Sequence, residues 1–117
     1  MRHFIFLALA VVMAAPATAA TLQSVETKSE FESLVTGRDL TALGVRLQVS
    51  PDGNITGRAF GKNVTGSWTW QSGYFCRDLM FGAQALDPNC QAVFASDGRI
   101  RFVSDRGTGP AANLRIK

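Results

Sequence analysis

The sequence predicts a mostly β protein: an antiparallel meander of about six or seven short strands, forming a small barrel or sandwich, with one short N-terminal helix. Three observations carry that expectation. From Gly44 onward apolar and polar residues alternate, the period of a strand with one buried face. Turn residues punctuate the same stretch at short intervals, and short connections imply antiparallel neighbours. Ahead of it, a single segment shows helical spacing instead.

The chain opens on Arg2 and His3, an unbroken apolar run from Phe4 to Ala15, then Pro16 and the small residues Ala17 to Ala20. Basic, apolar and small residues in that order describe a signal peptide over residues 1–19, cut after Ala19 or Ala20. The apolar run is about 12 residues, whereas a membrane span needs roughly 20. The expected location is therefore periplasmic or secreted, with no transmembrane segment after cleavage.

Residues 20–43 read as a lead-in segment with a short helix, and 44–117 as an antiparallel β domain. Thr27 and Glu30 fit a capping box, with Thr at the N-cap. Phe31, Leu34 and Val35 then form one apolar stripe, and Gly37 suits the C-terminal end. Val45, Leu47 and Val49 alternate with polar residues, and Pro51 to Asn54 turns the chain. Ile55 to Phe60 reads as the return strand, and Gly61 to Asn63 as the next turn. Val64, Gly66, Trp68 and Trp70 share one face of the following strand. Gln71 to Gly73 turns into a strand from Tyr74 to Phe81. Gly82 to Asn89 reads as a loop, Cys90 to Ala95 as a strand, and Ser96 to Gly98 as a hairpin turn. A strand from Arg99 to Ser104, a Gly-rich turn from Asp105 to Pro110 and a last strand from Asn113 to Lys117 complete the chain.

Composition excludes several chemistries. His3 is the only histidine and leaves with the signal peptide, which removes Ser-His-Asp and Cys-His catalytic sets and the common His-containing zinc sites. No metal site and no cofactor is expected. The formal net charge of +3 is mild, and the basic residues do not cluster on one element as a nucleic-acid footprint would. Cys76 and Cys90 are the only cysteines. In an exported chain they read as a disulfide, and the Cys-x-x-Cys spacing of redox pairs is absent. The disulfide would clamp the base of the long loop.

The candidate ligand-binding residues are Trp68, Trp70, Tyr74, Arg77 and Asp78. Trp68 and Trp70 read first as core fillers, and otherwise as a stacking wall for an aromatic or sugar ligand. Tyr74, Arg77 and Asp78 gather a phenol, a guanidinium and a carboxylate around Cys76. Neighbours on a strand point to opposite faces, so Arg77 and Asp78 are not expected to pair. Asp105 to Gly109 lacks the Gly-Lys-Ser/Thr ending of a phosphate loop and reads as a turn. Arg46, Arg99, Arg101 and Arg115 fall on outward faces. They read as solvated positions, or as an anion-binding or membrane-surface stripe if their strands are adjacent.

The runs Asp52-Gly53-x-Ile55-x-Gly57, Gly66-Ser67-Trp68-Thr69-Trp70 and Gly73-Tyr74-Phe75-Cys76-Arg77, with Asn89-Cys90-Gln91 and Asp105-Arg106-Gly107, resemble a group of small secreted bacterial proteins of unknown function. Some of that group carry the name dihydrodipicolinate reductase. The resemblance implies a β fold and a paired Cys76–Cys90. It does not bring the reductase chemistry, because no Gly-x-Gly-x-x-Gly follows a strand. In size, export, Gly-x-Trp and one disulfide the chain also resembles the small periplasmic β-barrel inhibitors of secreted metalloproteases. That likeness implies a free inhibitory segment at Thr21 to Val25.

The leading expectation is a monomeric, non-catalytic binding or interaction module whose partner is a protein or small ligand of the periplasm. The alternatives are a protease inhibitor, an enzyme using Asp78 or Asp105 with Tyr74 or Arg77, and an envelope protein whose outward arginines bind anionic lipid or polymer.

Overall fold

The computed structural model describes residues 21–117. The signal peptide expected over residues 1–19 lies outside the described residues. The elements in chain order are β1 (Gln23–Val25), α1 (Lys28–Val35), β2 (Leu40–Ala42), β3 (Val45–Val49), β4 (Asn54–Ala59), β5 (Lys62–Gln71), β6 (Tyr74–Phe81), β7 (Gln84–Ala85), β8 (Asn89–Ser96), β9 (Arg99–Val103), the short turn α2 (Ser104–Gly107) and β10 (Ala111–Ile116).

Eight of the strands close an antiparallel barrel in the order β2-β3-β4-β5-β6-β8-β9-β10, with β10 returning to pair with β2. Closure decides between the two expected architectures in favour of the barrel. It also removes the free edges that an open sheet would present. The remaining two strands are additions: β7 folds back on the end of β6, and β1 lies beside β8.

The strand count is higher than the sequence predicts. The three strands it does not foresee are β1, β2 and β7, each two or three residues long. Elements that short show no alternation to read. Two local expectations also need correction. Phe60 does not end a strand; it forms, with Gly61, the two-residue turn between Ala59 and Lys62. Both residues have positive φ, 49° and 80°, as a hairpin of matching twist demands. The turn after β9 contains α2, in which Asp105 and Arg106 both take φ 55°.

Helix α1 forms as its sequence dictates. The Thr27 hydroxyl accepts from the Glu30 backbone N–H at 3.2 Å, and Gly37 follows the helix at φ 71°. At eight residues it is too short to be stable alone and depends on packing. Its apolar stripe supplies that. Phe31 and Val35 are buried in the barrel core, with Leu34 packed against its margin.

Two glycines mark the tight points of the barrel wall. A Cβ on Gly57 would lie 2.1 Å from the Arg46 carbonyl oxygen, and one on Gly66 would lie 2.1 Å from the Asp78 carbonyl oxygen. Both obstacles are backbone, which cannot swing away. Gly66→Ala is therefore expected to cost about 1–3 kcal/mol in urea unfolding, the usual penalty of overpacking. An unchanged midpoint would show that the wall gives way there.

The barrel joins β6 to β8 through three residue pairs only: Phe75–Gln91, Cys76–Cys90 and Arg77–Asn89. The Cys76–Cys90 disulfide sits in the middle pair, with Cα atoms 3.9 Å apart. Farther along the same edge of β8, β1 takes over, pairing Gln23 to Val25 with Ala95 to Val93. The seam thus has two halves, one bonded covalently and one filled by the N-terminal strand.

Candidate functional site

The tryptophans on the inner face of β5 are structural. Trp68 is buried, and its Nε1–H donates to the Ser50 carbonyl at 2.8 Å. Trp70 donates its Nε1–H to the Glu26 carbonyl at 3.3 Å. Phe31 of α1 stands between them, its centroid 5.3 Å from Trp68 and 5.2 Å from Trp70, with Phe75 at 5.0 Å. Aromatic rings therefore fill the barrel at its helical end, and each indole N–H is satisfied. Trp68 is enclosed by these contacts, and Trp70 is half-buried beside them.

Tyr74, Arg77 and Asp78 do not converge. Strand alternation turns Arg77 to the inner face, with Phe75 and Leu79, and turns Tyr74 and Asp78 outward. The ring of Tyr74 carries the Arg106 guanidinium at 5.6 Å. Arg77 donates from Nη1 to the Asp87 carbonyl at 2.7 Å, so it ties down the β7–β8 loop. Burial pushes the pKa of Arg77 below its usual range, and the nearby Asp78 carboxylate partly offsets this. Arg77 and Asp78 form no ion pair, as their placement on the strand predicts.

A polar cluster joins Asp105 to side chains for which the sequence suggested no role. Asn89 donates from Nδ2 to Asp105 Oδ1 at 2.8 Å and accepts from the Asp105 backbone N–H at 2.9 Å. The buried Gln91 donates to the Ser104 hydroxyl at 3.1 Å. These bonds anchor α2 to β8. Asp105, one of the two carboxylates considered for catalysis, is thereby engaged in holding a loop.

The outer face is chemically divided. On β5 it presents Thr65, Ser67 and Thr69, all uncharged and exposed. On β9, β10, β3 and β4 it presents arginines in one cross-strand row that passes through Thr41 of β2. Arg99 pairs with Arg115, Arg115 with Thr41, Thr41 with Arg46, and Arg46 with Arg58. The strands of Arg99 and Arg115 prove adjacent, that of Arg46 is separated from them by β2, and Arg58 is a member the sequence reading missed. Arg101 is two residue pairs off the row, donating to Asn113 Oδ1 at 2.6 Å. At a strand spacing of about 4.8 Å, the row from Arg99 to Arg58 spans about 19 Å.

Two of these contacts set like charges directly opposite each other, which weakens a sheet. Neutralisation is sparse. Among the described residues, the one ion pair of the row is Arg46 Nε to Asp39 Oδ2 at 3.5 Å, and Arg46 is largely exposed. Arg58 is held by neutral acceptors instead, the Asn63 side chain at 2.8 Å and the Gly61 carbonyl at 2.7 Å. Arg99 and Arg115 line a groove of about 650 Å³ together with Arg101, Lys117, Thr41 and Leu22. Of the four arginines in the row, Arg46 alone has an ion-paired carboxylate among the described residues.

Two exposed apolar residues stand at one end of the row. Leu43 is 96% exposed in the β2–β3 turn, and Phe60 is 72% exposed in the β4–β5 turn. The turns are neighbours: the Phe60 backbone N–H donates to the Gly44 carbonyl at 2.8 Å. Arg46 and Arg58 form the second residue pair behind them. Phe60 is also conformationally costly, since a bulky side chain rarely occupies φ 49°. The Phe-Gly pair at a hairpin position that favours Asn-Gly is the sequence signal that could have found it.

The segment Thr21 to Val25, whose freedom the likeness to the protease inhibitors implies, is not free. Gln23 to Val25 are hydrogen-bonded into the sheet, and Val25 is buried. No helix among the described residues is long and apolar enough to cross a membrane. The barrel has its apolar face inside and its polar face outside, the reverse of a lipid-spanning barrel. No family model, curated protein or solved structure matches this chain.

Proposed function

We propose that this chain is an exported, non-catalytic binding module that meets its partner with its outer surface. The observation that supports this reading is the filled interior. Phe31, fully buried, is packed among Trp68, Trp70 and Phe75, so the helix occupies the mouth through which a small ligand would enter. The two carboxylates considered for acid–base chemistry sit in different settings. Asp78 faces outward on β6, and Asp105 is bonded to Asn89. The exposed arginines leave the outer surface as the chemically distinctive part of the molecule.

Native mass spectrometry of the mature protein, taken gently from the cells that make it, tests this reading. The expected spectrum shows the disulfide-bonded chain without a stoichiometric small molecule. A small molecule retained at one per chain, and lost in a Trp68→Phe variant, would overturn the outer-surface reading. So would turnover of any substrate by the purified protein.

A further inference from the structure

We propose that the arginine row and the Leu43–Phe60 tip dock this protein on the surface of an anionic lipid bilayer. This rests on the outer-surface reading and names the partner. Arg99, Arg115, Arg46 and Arg58 lie on a single outer row across five neighbouring strands, with Asp39 their one ion-paired carboxylate among the described residues. Guanidinium groups spaced by the sheet suit an array of phosphate headgroups, to which they make charge-assisted hydrogen bonds. A soluble polyanion would satisfy the same charges. It would have no use for Leu43 and Phe60, exposed side by side where the row ends.

A bilayer uses both features. The basic residues draw the protein to the headgroups, and the apolar tip enters the boundary between headgroups and acyl chains. The unfavourable features of the surface become intelligible together. The like-charge pairs Arg99–Arg115 and Arg46–Arg58 are relieved by lipid phosphate. The left-handed Phe60 is kept because the turn must present a large apolar side chain rather than the asparagine its backbone prefers.

The test is flotation of the mature protein with vesicles of phosphatidylcholine, with and without phosphatidylglycerol. Binding is expected only with phosphatidylglycerol, and should weaken as salt rises. Arg46→Gln and Arg99→Gln are each expected to lower the partition coefficient roughly fivefold, the worth of one basic residue at such a surface. Lys28→Gln, which removes the same charge from α1, should leave it unchanged. Phe60→Asn should bind more weakly and yet unfold at a higher temperature, a combination that a folding defect cannot produce. Absence of binding to phosphatidylglycerol vesicles overturns the proposal. So does binding that Lys28→Gln weakens as much as Arg46→Gln, or that Phe60→Asn leaves intact, since the surface would then be a general polyanion site. Those results would leave the outer-surface reading standing, whereas a small molecule retained inside the barrel would remove that reading itself.

Discussion

Phe31→Ala is expected to destabilise the protein by about 3–5 kcal/mol, the usual cost of removing a buried aromatic ring. The ring is fully buried and touches Trp68 and Trp70 of β5, Phe75 of β6 and Phe102 of β9. Its loss opens a void shared by three strands that cannot collapse together, because each is fixed in the barrel wall. Helix α1 also loses its principal anchor, and eight residues cannot hold a helix by propensity alone. A domain of this size has roughly 5–15 kcal/mol in total, so the loss is a large share. At roughly 4–8 °C per kcal/mol, the thermal midpoint should fall by more than about 12 °C. Urea unfolding followed by far-UV circular dichroism measures the effect without relying on the two tryptophans, whose emission the substitution itself alters. Phe31→Leu should cost markedly less. A loss below about 1 kcal/mol for alanine would mean that the helix rests on the barrel mouth rather than filling it.

The elements that the sequence made legible share a property: each is long enough to display a period or carries a turn signal. The alternation in β5 placed Val64, Gly66, Trp68 and Trp70 on one face; Trp68 belongs to the core cluster, Trp70 packs against it, and Val64 is buried. The capping box at Thr27 located α1 because a single side chain determines where that helix starts. β1, β2 and β7 were opaque for the opposite reason. Two or three residues form a strand only because a neighbouring edge is waiting for them, and that edge comes from a distant part of the chain. Val25 pairs with Val93, and Leu40 with Ile116. Barrel closure was undecidable for the same cause, since it depends on the pairing of β10 with β2.

The candidate residues divide along a similar line. Opposite orientation of Arg77 and Asp78 follows from strand geometry alone, and it holds. The outward position of Arg46, Arg99, Arg101 and Arg115 also follows from alternation. Their assembly into one row does not, because register is set by the turns and by closure rather than by any one strand. Phe60 was hidden by its type. An aromatic residue after Ile55 to Ala59 extends the apparent strand, and only the hairpin register reveals that the chain turns there in a left-handed conformation.

Replacing both cysteines by serine is expected to cost about 3 kcal/mol, the chain-entropy value for a loop of about 15 residues. The structure says where the loss should appear. The direct β6–β8 seam contains three residue pairs, and the disulfide joins the middle one. Without it, Phe75–Gln91 and Arg77–Asn89 must hold the barrel closed on one side, while β1 holds the other half through Gln23 to Val25. Amide exchange should therefore accelerate first along β6, β8 and the loop between them, and later along β3 and β4, which are paired on both sides. Reduction of the native protein under mild denaturant should give the same pattern. Uniform acceleration would mean that the disulfide acts only through the unfolded chain and that the seam needs no staple. The two large effects should also couple. Phe75 precedes Cys76 on β6 and packs against Phe31 at 5.0 Å, so the seam and the aromatic plug share a residue. Together the two losses approach the whole stability of a small domain. The Phe31→Ala variant should consequently fold only in its oxidised form, and titration with a reductant should unfold it where the unaltered chain remains native.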